Sequence, residues 1–227
     1  SGSSIDVIEL RVREHGEDLL TQAEVARLTA MSPEEVAEDV QTLKDSGVIL
    51  TFATRKDLYL WHVGSEKLMR QKILEALKQY EEKYPYRYGM KKAEVQVTYL
   101  KKMKPVVFDH YVEYLEQEGA LKRMEEYLCT ADYEVRKDTV YDRVSAKILD
   151  TVRKAGYDFA RYSDIAFGEK DKAVADDILN ILLEEKRIVK VSDDLYTLTE
   201  YMEKAKTMIQ EELKKREVIT TAEVRDL

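Results

Sequence analysis

Ser32-Pro-Glu-Glu-Val-Ala-Glu-Asp-Val-Gln-Thr-Leu-Lys-Asp-Ser-Gly47-Val-Ile-Leu-Thr-Phe52 decides the fold. Ser32 is a helix-capping residue, Pro33 fits a first helical turn, and Glu35 is placed to reach back to the cap. Val36, Val40 and Leu43 share one face at helical spacing. Gly47 offers the left-handed conformation that ends a helix. Residues 48–52 and 57–61 then read as two strands flanking a polar turn, which predicts a hairpin.

Working outward, residues 7–15 form an amphipathic helix stopped by Gly16. Thr21 and Glu24 open a short second helix with a capping box. The order helix, helix, helix, hairpin is that of a winged helix, a helix-turn-helix carrying a β-wing. The pattern recurs. Thr21-Gln-Ala-Glu-Val-Ala-Arg-Leu28 resembles Thr220-Thr-Ala-Glu-Val-Arg-Asp-Leu227, with weaker copies at Lys91-Lys-Ala-Glu-Val95 and Ser163-Asp-Ile-Ala166. Long helices at 66–84, 139–155 and 200–216 precede the later copies, the first of them with an apolar stripe of Leu68, Ile73, Leu77 and Tyr80. Phe108, Tyr111, Val112 and Leu115 before Gly119 repeat the third helix, as do Val174, Ile178 and Leu182. In that last copy Lys186-Arg187 replaces the glycine, so the helix ends differently or accepts about 1 kcal/mol of strain. Hairpins are expected at 121–124 with 127–129, and at 188–191 with 195–198.

An interval of roughly 60–70 residues is too long for a helical-pair solenoid and makes each copy a small domain with its own core. The fold class is therefore mainly α, built of α+β modules as tandem winged-helix domains. The modules are expected at 5–64, 65–137 and 138–199, with the start of a fourth at 200–227. Thr220 and Glu223 should cap a new helix in that fourth module. Ser1-Gly2-Ser3-Ser4 reads as an added leader with no part in the fold.

Composition narrows the function. The 227 residues carry a net charge of -8, with 36% charged and 44% hydrophobic residues and few glycines or prolines. That suits a helix-rich globular chain, and it argues against nucleic acid covering most of the surface, because such binding neutralises phosphates with cations. Cys129 is the only cysteine, so neither an internal disulfide nor a cysteine-rich zinc site is possible. No run of about 18 apolar residues would span a bilayer.

Four segments resemble one family in the family's own order. Tyr84-Pro-Tyr-Arg-Tyr-Gly-Met-Lys-Lys-Ala-Glu-Val95 resembles a His-Pro-x-Arg-x-Gly-Met-x-Lys-Glu-Glu-Leu stretch of the selenocysteine-specific translation elongation factor SelB family. Ala131-Asp-Tyr-Glu-Val135 resembles a Pro-x-His-x-Val wing segment, with Tyr133 in place of histidine and Ala131 in place of proline. Val191-Ser-Asp-Asp-Leu-Tyr196 resembles the wing of the family's third winged helix, and 218–227 the entry to its fourth. The resemblance implies a C-terminal arm of a GTPase that delivers selenocysteyl-tRNA. It implies as partners the hairpin (SECIS) of a selenoprotein messenger RNA, bound mainly by the fourth module, and the ribosome. GTP and magnesium would belong to an N-terminal part, since no phosphate-loop motif occurs here. A cytoplasmic monomer without DNA or membrane contacts is expected.

Catalytic signatures are absent from the sequence. His15, His62 and His110 lie far apart and form no metal-ligand pair, and Cys129 reads as a buried, inert thiol in a wing strand. Acidic pairs such as Glu34-Glu35 and Glu184-Glu185 read as solvated helix faces. No enzyme, metal or cofactor site is expected in the chain.

Two basic stretches are candidates for RNA. One is Lys214, Lys215 and Arg216 with Arg225, beside Glu211, Glu212 and Glu217; the same cations would also suit a helix C-terminus. The other lies within 83–104 and holds Arg87, Lys91, Lys92, Lys101, Lys102 and Lys104. Tyr84, Tyr86, Tyr88 and Tyr99 are interleaved there, and cations with aromatic faces suit phosphates and unstacked bases. Against this, the tyrosines could equally pack beneath the second module while the lysines stay in water. Acidic third helices, with Glu34, Glu35, Glu38 and Asp39 in one and Asp176 and Asp177 in another, do not suit the DNA major groove. Two functions remain: an RNA-docking and spacer arm that positions rather than catalyses, or a scaffold for protein contacts. As a spacer, the acidic modules would avoid sticking to ribosomal RNA.

Overall fold

The computed structural model describes residues 3–166, 168 and 170–225. These fall into two compact units, one of Ser1–Tyr84 with Tyr88–Glu134, the other of Pro85–Arg87 with Val135–Leu227.

The first unit opens with α1 (Ser4–Glu14), β1 (Leu20–Thr21), α2 (Gln22–Thr29), α3 (Pro33–Asp45), β2 (Ile49–Ala53) and β3 (Leu58–His62). The Thr21 and Ser32 caps form as expected, but the reciprocal half of each box, from Glu24 and Glu35, does not. Ser32 Oγ accepts from the Glu35 amide at 3.2 Å, and Thr21 Oγ1 from the Glu24 amide at 3.1 Å. The expectation for the leader is corrected. Ser3 forms a reciprocal capping box with Asp6, and Ser4 Oγ donates to Asp39 at 2.8 Å, so α1 begins earlier than residue 7.

The unit continues with α4 (Val63–Lys83), β4 (Met90–Lys91), α5 (Lys92–Tyr99), α6 (Pro105–Gln117), β5 (Leu121–Met124) and β6 (Tyr127–Thr130). Each wing is a three-stranded antiparallel sheet, ordered β1-β3-β2 and β4-β6-β5. The third strand of each is two residues long, too short to leave a period-2 signature. Ala131–Val135, expected to belong to the second wing, follows β6 instead, and the Tyr133 amide bonds back to the Thr130 carbonyl at 3.1 Å.

One expectation about cores is overturned. Ile8, Val12, Val25, Val36, Val40, Leu43, Ile49 and Leu60 form the first core. The other face of the same wing carries Phe52 and Trp61, which are buried among Ile73, Leu77, Phe108, Tyr111, Leu115 and Leu128. Successive strand residues point to opposite faces, so Leu60 serves the first core and Trp61 the second. The first wing is thus a sheet shared by two modules rather than the edge of one bead. Trp61 meets Tyr111 edge-on at 4.8 Å, and Phe52 meets it at 6.0 Å.

A buried ion pair lies beside this junction. Glu66, 1% exposed, receives Arg70 Nε at 3.1 Å on both oxygens, and Arg70 also reaches the Tyr114 hydroxyl at 3.3 Å. At the far end of α4, Glu81 accepts from the Thr130 amide at 2.9 Å and from its hydroxyl, which ties β6 to the helix.

In the second unit come α7 (Thr139–Ala155), a single 3-10 turn (Gly156–Asp158), β7 (Ala160–Arg161), α8 (Tyr162–Ala166), α9 (Lys172–Glu184), β8 (Ile188–Ser192), β9 (Leu195–Leu198) and α10 (Thr199–Arg225). The sheet order is β7-β9-β8, again a winged-helix wing. Ala175, Ile178, Leu179, Ile181 and Leu182 form the buried face of α9, while Val174 sits at its margin.

Without a glycine, α9 ends by placing Lys186 in the left-handed region at φ 59. Its amide still bonds to the Leu183 carbonyl, and the Arg187 amide to that of Leu182. The strain alternative is therefore the one realised. Lys186→Gly should stabilise the protein by about 0.5–1 kcal/mol, since the relief of left-handed strain exceeds the entropy a glycine adds to the unfolded chain. A rise in the urea midpoint at unchanged slope is the readout.

The expected break before Thr220 is absent. α10 runs unbroken for 27 residues, and Thr220 Oγ1 donates back to the Arg216 carbonyl at 2.9 Å instead of capping a new helix. The Glu223 side chain, the proposed partner in that cap, lies outside the described residues.

Candidate nucleic-acid interface

The tyrosines of 83–104 are committed to packing. Tyr86 is 6% exposed, and its hydroxyl donates to both Asp138 carboxylate oxygens at 2.9 and 2.8 Å. Asp138 in turn caps α7 by accepting from the Tyr141 amide at 3.0 Å. That amide, with Tyr86, holds the Asp138 carboxyl below the usual range, and burial pushes the Tyr86 phenol up. Tyr84 stacks obliquely on Tyr80 at 4.8 Å, Tyr88 on Tyr127 at 6.0 Å, and Tyr99 packs against the second core. Rings held in this way are not poised to receive unstacked bases.

The six cations of that stretch do not converge. Arg87 belongs to the second unit, where its Nε meets Asp177 at 2.9 Å. Burial raises the Asp177 carboxyl and the Arg87 guanidinium partly offsets this, as for a structural pair. Lys91 is exposed on β4, and Lys92 is paired with Asp109. Lys101, Lys102 and Lys104 lie at the opposite end of α5, about 12 Å away at 1.5 Å per residue. Lys102 reaches Asp18 at 3.5 Å, while Lys101 and Lys104 are exposed.

The α10 candidates are also dispersed. Consecutive helical residues turn by about 100°, so Lys214, Lys215 and Arg216 point in three directions. Arg216 is paired with Glu212 at 3.7 Å. Lys214 and Arg225 share one face with Val218 and Thr221.

A further cationic cluster lay hidden inside a turn that reads only as polar. Arg55 and Lys56, at the tip of the first wing, line one cavity with Lys104 and His110. The signal was a basic dipeptide at a hairpin tip, which is visible in sequence but not connected there to Lys104.

His62 caps α4 by accepting the Gly64 amide at Nδ1, 3.1 Å, and its Nε2 lies 3.4 Å from Glu9. His15 caps α1, and His110 lies 4.0 Å from Glu113. Cys129 is buried, and burial pushes its thiol up to about 11, away from reactivity. Among the described residues, no three His, Cys, Asp or Glu side chains gather as a metal site requires, and no helix is long and apolar enough to cross a membrane.

The three wings and their preceding helices place the chain among tandem winged helices. Comparison with known families adds one match: residues 74–128 fit the winged helix described for elongation factor SelB. Over residues 74–128 the chain is similar to that SelB winged helix. A comparison with curated proteins finds no match. The SelB match runs from α4 to β6 and includes Gly89-Met90, the centre of the resemblance seen in the sequence. Sterics require that glycine. Gly89 has φ +150, and a Cβ there would stand 2.1 Å from the Leu128 carbonyl oxygen. The glycine of the SelB-like motif therefore marks the point where β4 is laid against β6.

Proposed function

We propose that this chain is an RNA-docking and spacer arm, coupling the SECIS hairpin of a selenoprotein messenger to the GTPase and tRNA-delivery part of its factor during UGA recoding. One observation carries the reading: the SelB winged helix sits in a series of like modules, two of which are fused through a shared wing. Such fusion suits a spacer, because a stiff connector sets a distance, whereas a flexible one only sets an effective concentration. The partners are the messenger hairpin and the ribosome, the setting is the cytoplasm, and GTP and magnesium belong to another part of the factor. Chemistry is not asked of this chain; its work is positioning.

A scaffold for protein contacts is the second reading. It is favoured by the exposed acids of α3, Glu34, Glu35 and Glu38, and by the pairing of several candidate cations.

Replacing residues 5–199 of the parent factor by a glycine-serine linker of equal length tests the spacer role in a reconstituted UGA-recoding assay. Recoding should fall at least tenfold while ribosome-stimulated GTP hydrolysis persists. Unchanged recoding would overturn the reading.

A further inference from the structure

We propose that the tip of the first wing and the start of α6 form a docking groove for the phosphate backbone of RNA, separate from the α10 candidates. The inference rests on the RNA-arm reading in taking RNA as the partner. The cavity measures about 600 Å³, and Arg55, Lys56 and Lys104 stand on its rim. All three are exposed, and among the described residues none of them makes an ion pair. In a chain of net charge -8, three unneutralised cations around one hollow are a local reversal of sign.

The scaffold behind them is rigid. The Thr54 amide donates to the Asp57 carbonyl at 2.9 Å, and the Asp57 amide donates to Thr54 Oγ1 at 3.1 Å. This closes a four-residue turn with Arg55 and Lys56 at its centre, so the backbone holds both at the wing tip. Lys104 is the N-cap of α6, Pro105 is its first residue, and no acid occupies the first turn. The positive end of that helix dipole is left uncompensated and adds to the field of Lys104. Asp57 is the acid on the rim among the described residues, and it does not cancel three cations.

Phosphates suit the site better than bases do. The groove offers charge at spaced points, and its one aromatic ring among the described residues is the His110 imidazole, so binding should be largely sequence-blind and salt-sensitive. The overall negative charge of the chain keeps it weak, confined to this face and lost near physiological salt.

The test is fluorescence anisotropy of a labelled 20-base-pair RNA duplex with the 227-residue chain at 25–200 mM salt. Wild type should bind at 25 mM salt. Arg55→Glu with Lys56→Glu should raise Kd at least tenfold, and Lys104→Gln about threefold. The log–log salt slope should shrink by about 0.9 for each phosphate that is no longer neutralised. Arg55→Lys, which keeps the charge, should bind as wild type, and Lys214→Gln with Lys215→Gln should leave duplex binding unchanged. No binding by wild type, or equal binding by the wing-tip variants, would overturn the groove. Equal affinity for poly-glutamate at the same site would replace RNA by an acidic protein segment. None of these results alters the recoding outcome, so the two proposals fail separately.

Discussion

Gly89→Ala is expected to lower stability by more than about 3 kcal/mol, through backbone strain and a collision that no rotamer can relieve. The added Cβ would lie 2.1 Å from the Leu128 carbonyl oxygen and 2.8 Å from its carbon, and the residue would also have to hold φ +150. Relief requires β4 to leave β6. That breaks the register Met90 to Leu128 and Lys91 to Tyr127, and it strands the Lys92 amide that now bonds to the Glu126 carbonyl at 2.9 Å. Leu128 and Val95 sit in the second core beside this strand, so the loss spreads into packing. In thermal melts the first unit should unfold at least roughly 6–12 °C earlier, at about 2–4 °C per kcal/mol. A shift within 2 °C would show that the close approach of β4 and β6 is wrong.

Trp61→Ala is the second large effect. The indole is 0% exposed, and it fills the junction between the first wing and the core of the second module. Truncation should cost about 3–5 kcal/mol, from lost burial and the cavity left against Tyr111. Trp61→Phe should cost far less, under about 1.5 kcal/mol, because the indole nitrogen has no hydrogen-bond partner among the described residues and the substitution removes that unsatisfied group. Urea unfolding followed by far-UV circular dichroism separates the two variants. The chain has one tryptophan, so fluorescence cannot be used for both.

Much of the fold was legible because its signals were local. Ser32, Pro33 and Gly47 bound α3 by themselves, and Thr21 starts α2, so three-helix order could be read without tertiary knowledge. The two-residue strands β1, β4 and β7 were not legible, since their pairing lies in register with residues some 40 positions away. The shared wing does have a local signal. Leu58-Tyr59-Leu60-Trp61 is apolar on both strand faces, the pattern of a sheet buried on two sides. The reading of α10 failed for another reason. Thr220 resembles Thr21 in sequence, but a threonine can cap a helix or bond back to the carbonyl four residues earlier, and local sequence does not choose.

The candidate site was less legible. Interleaved lysines and tyrosines described composition, whereas pairing depended on distant residues: Arg87 found Asp177, Lys92 found Asp109, and Tyr86 found Asp138. Nothing in the local sequence ties those acids to these partners. The dispersal of Lys214, Lys215 and Arg216 around α10 follows from helical geometry alone and needs no tertiary knowledge.

Native-state hydrogen exchange of the whole chain, in wild type and Trp61→Ala, tests the fused pair of modules most directly. Amides of β3 and of α6 should open with one common free energy in wild type, and both should lose protection together in the variant. Independent opening of the two, or a loss confined to β3, would contradict the shared wing.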